Sequence, residues 1–187
     1  MTVAQLDKLL SSFDWDTWSS DLRDEIESPL KLIIEVQGER DGSKLGIEFN
    51  AKDPFVSRHF TQYLGARITQ LDETTRDLVK ETLHAALIED EAVGVNDLAG
   101  RLMESGAFAP SRALMIARTE TATAYNFGAL GAYHQAGVEE VEVSDGDGDE
   151  ECADANGEVW SLDEALANPL AHPNCVRSFG PHISDEK

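Results

Sequence analysis

The stretch SRALMIARTETATAYNFGALGAYHQAGVEEVEV, Ser111 to Val143, changes its period at Gly137, and that change decides the fold class. Before the glycine the chain is alanine-rich and reads as one long apolar helix, with Ser111 available to cap it. On that helix Thr119, Thr123 and Asn126 share one face, and Arg118, Thr121 and Tyr125 share another. After the glycine, VEEVEV alternates apolar and acidic residues as a half-buried strand does. A helix that hands over to an alternating strand predicts an α+β chain.

Upstream, the pattern stays helical. In AQLDKLLSSFDWDTW the residues Leu6, Leu9, Leu10, Phe13 and Trp18 recur near the helical period. SPLKLIIEVQG places Pro29 where a first helical turn accepts it. The Asp53-Pro54 step breaks any helix, because the residue before a proline is pushed toward extended geometry. The chain is therefore divided into an acidic helical region, 1–53, and a core, 54–187, with helices over 54–136 and a small β module over 137–187. In the core, DETTRDLVKETLHAALIEDE spaces Leu78, Leu83 and Leu87 on one face with Asp72 as a cap, and Asn96 and Gly106 bracket a short helix.

Downstream, DGDGDEE is a turn dense in carboxylates, and Asn156-Gly157 reads as a hairpin-type turn before Val159 and Trp160. Ser161 and Glu164 form a capping box for a very short helix, and CVRSF is a closing strand. The β module is expected to be a small antiparallel sheet of Val138 to Val143, Val159 to Trp160 and Cys175 to Phe179.

With 15 basic and 36 acidic residues the net charge is −21, spread along the 187 residues. Such a surface repels phosphate backbones and anionic lipid, so nucleic acid and membrane are poor partners and basic protein surfaces good ones. The first 18 residues lack the basic start and unbroken apolar run of a secretory signal, and no apolar run approaches the roughly 20 residues that span a bilayer. The expected setting is the cytosol, where two cysteines stay reduced or metal-bound.

Three constellations carry potential chemistry. Asp145, Asp147 and Asp149 alternate like the start of an EF-hand loop, but the sixth position is Glu150 instead of glycine and the twelfth is Asn156 instead of glutamate. The calcium reading yields to a solvated acidic turn. Arg118 and Glu120 have the charges of a clamp and a general base, yet no nucleophile or phosphate loop accompanies them, so a hydrogen-bonded structural network is the better reading. Cys152 lies 20 residues before His172, and His172-Pro173-Asn174-Cys175 forms a rigid turn. Two thiolates and an imidazole, with Asp149 as the oxygen ligand or Asp145, Asp147 or Asp154 in its place, have the geography of a zinc site. The residues alone leave three outcomes open: zinc, a disulfide, or a metal-free turn with buried thiols.

The region from Ser111 to Pro181 resembles the C-terminal core of the phage Mu F-like minor head proteins, also called minor capsid or head morphogenesis proteins. An ARTE helix holding Arg118, Thr119 and Glu120 is followed by Asn126, Gly137 and a strand, then an acidic turn with Cys152. Asn156-Gly157 and finally HPNC, His172 to Cys175, complete the series. With the helices before it, the resemblance covers roughly two thirds of the chain. Many members carry two further cysteines, for which this chain has Ala155 and Arg177, so Cys₄ and Cys₃His zinc sites are excluded.

The resemblance implies a structural protein and no enzyme: a virion component inside the head near the portal, made in the host cytoplasm. Its implied partners are the portal protein and the major capsid protein, during head assembly and DNA packaging. Members are often longer than this chain. Two other readings accompany it, a Mu F-like module of a toxin or metal-dependent hydrolase, and a host cargo or regulatory module.

Overall fold

The computed structural model describes residues 14–89, 95–146 and 150–182. The element order is α1 (Trp15–Leu45), α2 (Pro54–Glu89), α3 (Val95–Glu104), α4 (Pro110–Gln135), β1 (Glu140–Ser144), α5 (Glu150–Ala155), β2 (Val159–Ser161), α6 (Leu162–Ala167) and β3 (Ser178–Pro181). The fold is α+β, helical over its N-terminal part with a three-stranded antiparallel sheet of order β2-β1-β3 at the C-terminal end. Contacts divide the described residues into two compact units, 14–25 with 64–89 and 95–114, and 26–63 with 115–146 and 150–182.

In the first unit, Asp14 caps α1 by accepting the Thr17 backbone N–H at 3.0 Å. Trp18 meets Phe108 edge-on, with ring centroids 6.5 Å apart. Leu64, Ile68, Leu71 and Val79 form the buried stripe of α2 here. Leu78 is only half-buried, so the face expected to run through it is rotated by one residue; the side chains of Leu83 and Leu87 lie outside the described residues. Asp72 is not a cap. It sits inside α2, buried, accepting from the Ser19 hydroxyl at 2.8 Å and the Arg76 guanidinium at 2.8 Å. Arg112 donates to Thr75 Oγ1 and to the Ala107 carbonyl, and burial followed by the nearby Arg67 charge lowers its pKa.

Several helix boundaries differ from the expected ones. Pro29 does not begin a helix but lies within α1, on an exposed face where the carbonyl it leaves unpaired can reach water. Ser111 is likewise inside the first turn of α4, which begins at Pro110. The Asp53-Pro54 break holds: α2 starts at Pro54 and Asp53 Oδ1 accepts the Phe55 N–H at 2.8 Å. Leu6, Leu9, Leu10 and Phe13, and the side chain of Asn96, fall outside the described residues.

The second unit holds α4 from Met115 onward and the sheet. Leu30, Ile34, Val56, Phe60, Ala124, Phe127 and Leu130 are buried in it. At Gly128 the backbones of α4 and α1 come so close that a Cβ would lie 2.7 Å from the Ile34 carbonyl oxygen. Gly137 ends α4 with φ +78, its N–H and that of Val138 returning to the His134 and Tyr133 carbonyls. Val138 is thus committed to the helix cap, which is why β1 begins at Glu140 and not at Val138. In β1, Val141 and Val143 are buried and Glu140 and Glu142 exposed, as the alternation predicts. Val141 pairs with Trp160 on one side, and Val143 pairs with Phe179 on the other.

Two further expectations are corrected. Part of the acidic turn is helical: α5 begins at Glu150, and Asn156-Gly157 terminates that helix, with Gly157 at φ +84, instead of forming a two-residue hairpin. The closing strand starts at Ser178, because the backbone groups before it are used elsewhere. The Cys175 N–H goes to the His172 carbonyl, the Arg177 N–H to Cys175 Sγ, and the Arg177 carbonyl to Asn126. Of the Ser161–Glu164 capping box, the Ser161 half forms at α6, its side chain accepting the Glu164 N–H at 3.3 Å.

Candidate metal centre

Cys152 comes from α5, and His172 and Cys175 from the turn before β3. That turn is closed by the Cys175 N–H on the His172 carbonyl at 3.2 Å, and Asn174 takes φ +64, a left-handed conformation that asparagine tolerates better than most residues. Pro173 fixes the backbone beside it. The result brings Cys152, His172 and Cys175 into a group able to hold a metal ion, their ligand atoms all within 4.8 Å of one another. Cys152 Sγ is 3.2 Å from His172 Nε2 and 3.9 Å from Cys175 Sγ. Tetrahedral zinc, with bonds of about 2.3 Å to sulfur and about 2.0 Å to nitrogen, spaces its ligand atoms roughly 3.5 to 3.8 Å apart.

The surroundings suit such a donor set. His172 Nδ1 is 2.9 Å from the Pro173 carbonyl, which can only accept, so Nδ1 is the donor, and the tautomer able to bind a metal turns its Nε2 lone pair toward Cys152. The backbone N–H of Arg177 points at Cys175 Sγ from 3.4 Å, a donor placed where a thiolate would accept. Both cysteines are free, and they are 0% and 2% exposed.

Of the oxygen ligands considered, Asp149 and Asp147 lie outside the described residues, and Asp154 is exposed on α5. Asp145 is buried. Its carboxylate is 3.7 and 3.8 Å from Cys175 Sγ and accepts the Arg177 Nε–H at 2.8 Å in an ion pair whose side chains are 4% and 0% exposed. Arg177 also donates to the Asn168 carbonyl and lies over the Trp160 ring, 5.0 Å from its centroid. Reading the sequence missed this pair, because Asp145 and Arg177 stand 32 positions apart with no local period to link them.

The motif residues of α4 surround the site from one side. Thr119 Oγ1 accepts the Asn174 N–H at 3.0 Å, and Asn126 Nδ2 donates to the Pro169 and Arg177 carbonyls at 2.8 and 2.9 Å. Asn156 Oδ1 accepts the Asp145 N–H at 2.9 Å. Arg118 and Glu120, read from the sequence as part of a hydrogen-bonded structural network, do not supply those bonds. Glu120 is buried and accepts from the Tyr63 hydroxyl at 2.7 Å, while Arg118 is exposed beside Ala122 and Tyr125 along a surface groove that continues to Asn174 and Val176.

No protein-family model, curated protein or solved structure matches the chain.

Proposed function

We propose that this chain is a minor head protein of a tailed bacteriophage, a structural component that joins the portal during head assembly and DNA packaging, and that zinc at Cys152, His172 and Cys175 ties α5 to the turn before β3, the turn that α4 holds through Thr119 and Asn126. The observation that carries the reading is the convergence of the motif residues. Thr119, Asn126, Asn156, His172, Asn174 and Cys175, which the sequence shares with Mu F-like proteins in that order, gather around one cluster instead of being scattered, with Thr119, Asn126 and Cys175 buried and Asn156 and Asn174 on its exposed side. That favours a common architecture over chance matches.

The same geometry weighs against a hydrolase. A nucleophilic or metal-bound catalytic group must be reachable by substrate. Here both sulfurs are withdrawn from the surface, and zinc in this cage would supply cross-linking in place of catalysis. The net charge of −21 supports docking on basic protein patches and opposes coating of packaged DNA. No helix among the described residues is long and apolar enough to cross a membrane. The location in this reading is the virion, inside the head near the portal, after synthesis in the host cytoplasm.

Co-purification with portal and major capsid proteins tests the function. The expected result is a complex with one of them that weakens as salt rises, since exposed charge pairs are screened within about 10 Å at 0.1 M salt. Binding to duplex DNA that persists at physiological salt, with neither protein partner retained, would overturn it.

A further inference from the structure

We propose that the Asp145 carboxylate is the fourth ligand of a divalent-metal centre formed with Cys152, His172 and Cys175, and that Arg177 holds it for that position. The proposal rests on reading the cluster as a metal site and adds what completes it. The carboxylate is fully buried. Its Oδ2 receives the Arg177 Nε–H at 2.8 Å, but the hydrogen-bond contact of Oδ1 among the described residues is the Cys175 sulfur at 3.8 Å. A thiol is a weak donor, whereas a buried carboxylate oxygen ordinarily takes strong ones.

Metal binding sharpens the argument. A cysteine coordinates as its thiolate, so the proton that Cys175 offers Asp145 is lost when an ion enters. Two anions then face each other at 3.7 to 3.8 Å, in an interior where such repulsion is poorly screened. A cation bound by both removes the conflict, and the spacing is already close to a sulfur–oxygen edge of tetrahedral zinc, about 3.6 Å. Asp145 stands against Cys175 but outside the three atoms that lie within 4.8 Å of one another, so ligation requires its carboxylate to shift toward Cys152 and His172. Charge also balances. Two thiolates and one carboxylate are matched by a divalent cation and the Arg177 guanidinium, so the buried centre is neutral. The guanidinium thereby plays a positioning role.

Cobalt(II) is the probe, titrated into the reduced protein and followed by absorption, with zinc competition for affinity. Wild type is expected to bind one equivalent with a thiolate-to-cobalt charge-transfer band and a four-coordinate d–d spectrum that added azide does not change. Asp145→Asn should bind at least about 10-fold more weakly and give a spectrum that azide shifts, since water or azide then fills the vacated position. Because Asp145→Asn strands the Arg177 charge, Asp145→Asn with Arg177→Met is measured beside it and should behave alike. A wild-type spectrum that azide shifts, or a double variant with wild-type spectrum and affinity, would overturn the assignment of Asp145 while leaving a three-ligand metal site. Absence of stoichiometric cobalt or of the thiolate band in wild type, an adventitious ion only, would overturn the metal reading itself and Asp145 with it.

Discussion

Asn126, on α4, donates its side-chain amide to the Arg177 carbonyl oxygen at 2.9 Å, across 51 residues of sequence, and the same nitrogen reaches the Pro169 carbonyl at 2.8 Å. One buried amide thus supplies two backbone acceptors of the loop that precedes β3. Asn126→Ala removes both donors where water is excluded and should cost about 2 to 4 kcal/mol, from roughly 1 to 3 kcal/mol for each stranded group discounted for local relaxation. Asn126→Asp should cost at least as much, because it sets a carboxylate against two carbonyls. Urea unfolding followed by tryptophan fluorescence measures this, and a loss under about 0.5 kcal/mol for both variants would contradict the role.

Zinc affinity should rise with pH through the neutral range. The two sulfurs bind only as thiolates, so up to two protons leave for each ion taken up, and acidification drives the metal out. Calorimetric titrations in buffers of different ionisation enthalpy count those protons. Cys175→Ser should lower both zinc content by elemental analysis and stability of the module; zinc uptake without proton release would mean that the ion sits elsewhere.

Tyr133 should make the fold sensitive to alkali. Its hydroxyl donates to the Phe179 carbonyl at 3.0 Å, and burial, with a smaller contribution from the Asp41 charge, raises its pKa from the ordinary 10.0 to about 12. The folded state favours the protonated phenol, so the stabilisation is full below pH 10, the unfolded value, and is lost between there and about 12. Tyr133→Phe should flatten that part of the stability curve and cost about 1 kcal/mol at neutral pH through the unpaired carbonyl. An unchanged alkaline slope in the variant would assign the effect to another group.

Gly128→Ala should destabilise by about 1 to 3 kcal/mol. The added methyl would meet the Ile34 carbonyl oxygen at 2.7 Å and the Gly38 amide nitrogen at 3.1 Å, and backbone gives way less readily than a side chain. Since alanine normally strengthens a helix relative to glycine, a thermal midpoint that rises in the variant would show that the two helices do not approach so closely in solution.

Much of this was legible in the sequence, for reasons that also mark the limit. Local period showed the α4 helix, its stop at Gly137 and the alternation of β1, because each depends on neighbours a few residues away. The Cys152, His172 and Cys175 cluster was legible because few residue types form such sites and proline restricts one side of it. The Asp145–Arg177 pair was not, since ion pairing across the sheet leaves no spacing to read. Strand edges were missed where Val138 and Cys175 gave their backbone N–H groups to a helix cap and a turn, which propensity does not register. Asp72 looked like a cap because its residue type suits that place, while its tertiary partners Ser19 and Arg76 instead hold it within α2.

The placement of the two cysteines has a topological consequence. Cys152 precedes β2 and α6 while Cys175 follows them, so an ion or bond that joins the sulfurs closes a loop across 23 residues containing both elements. Such a closure acts chiefly on the unfolded chain, whose accessible arrangements it reduces by the equivalent of about 3 kcal/mol for a loop of this size. With the loop tied, β2 can separate from β1 only as far as the tether permits. Amide exchange in β2 and α6 should then slow on metal loading by more than in α1, which lies outside the loop.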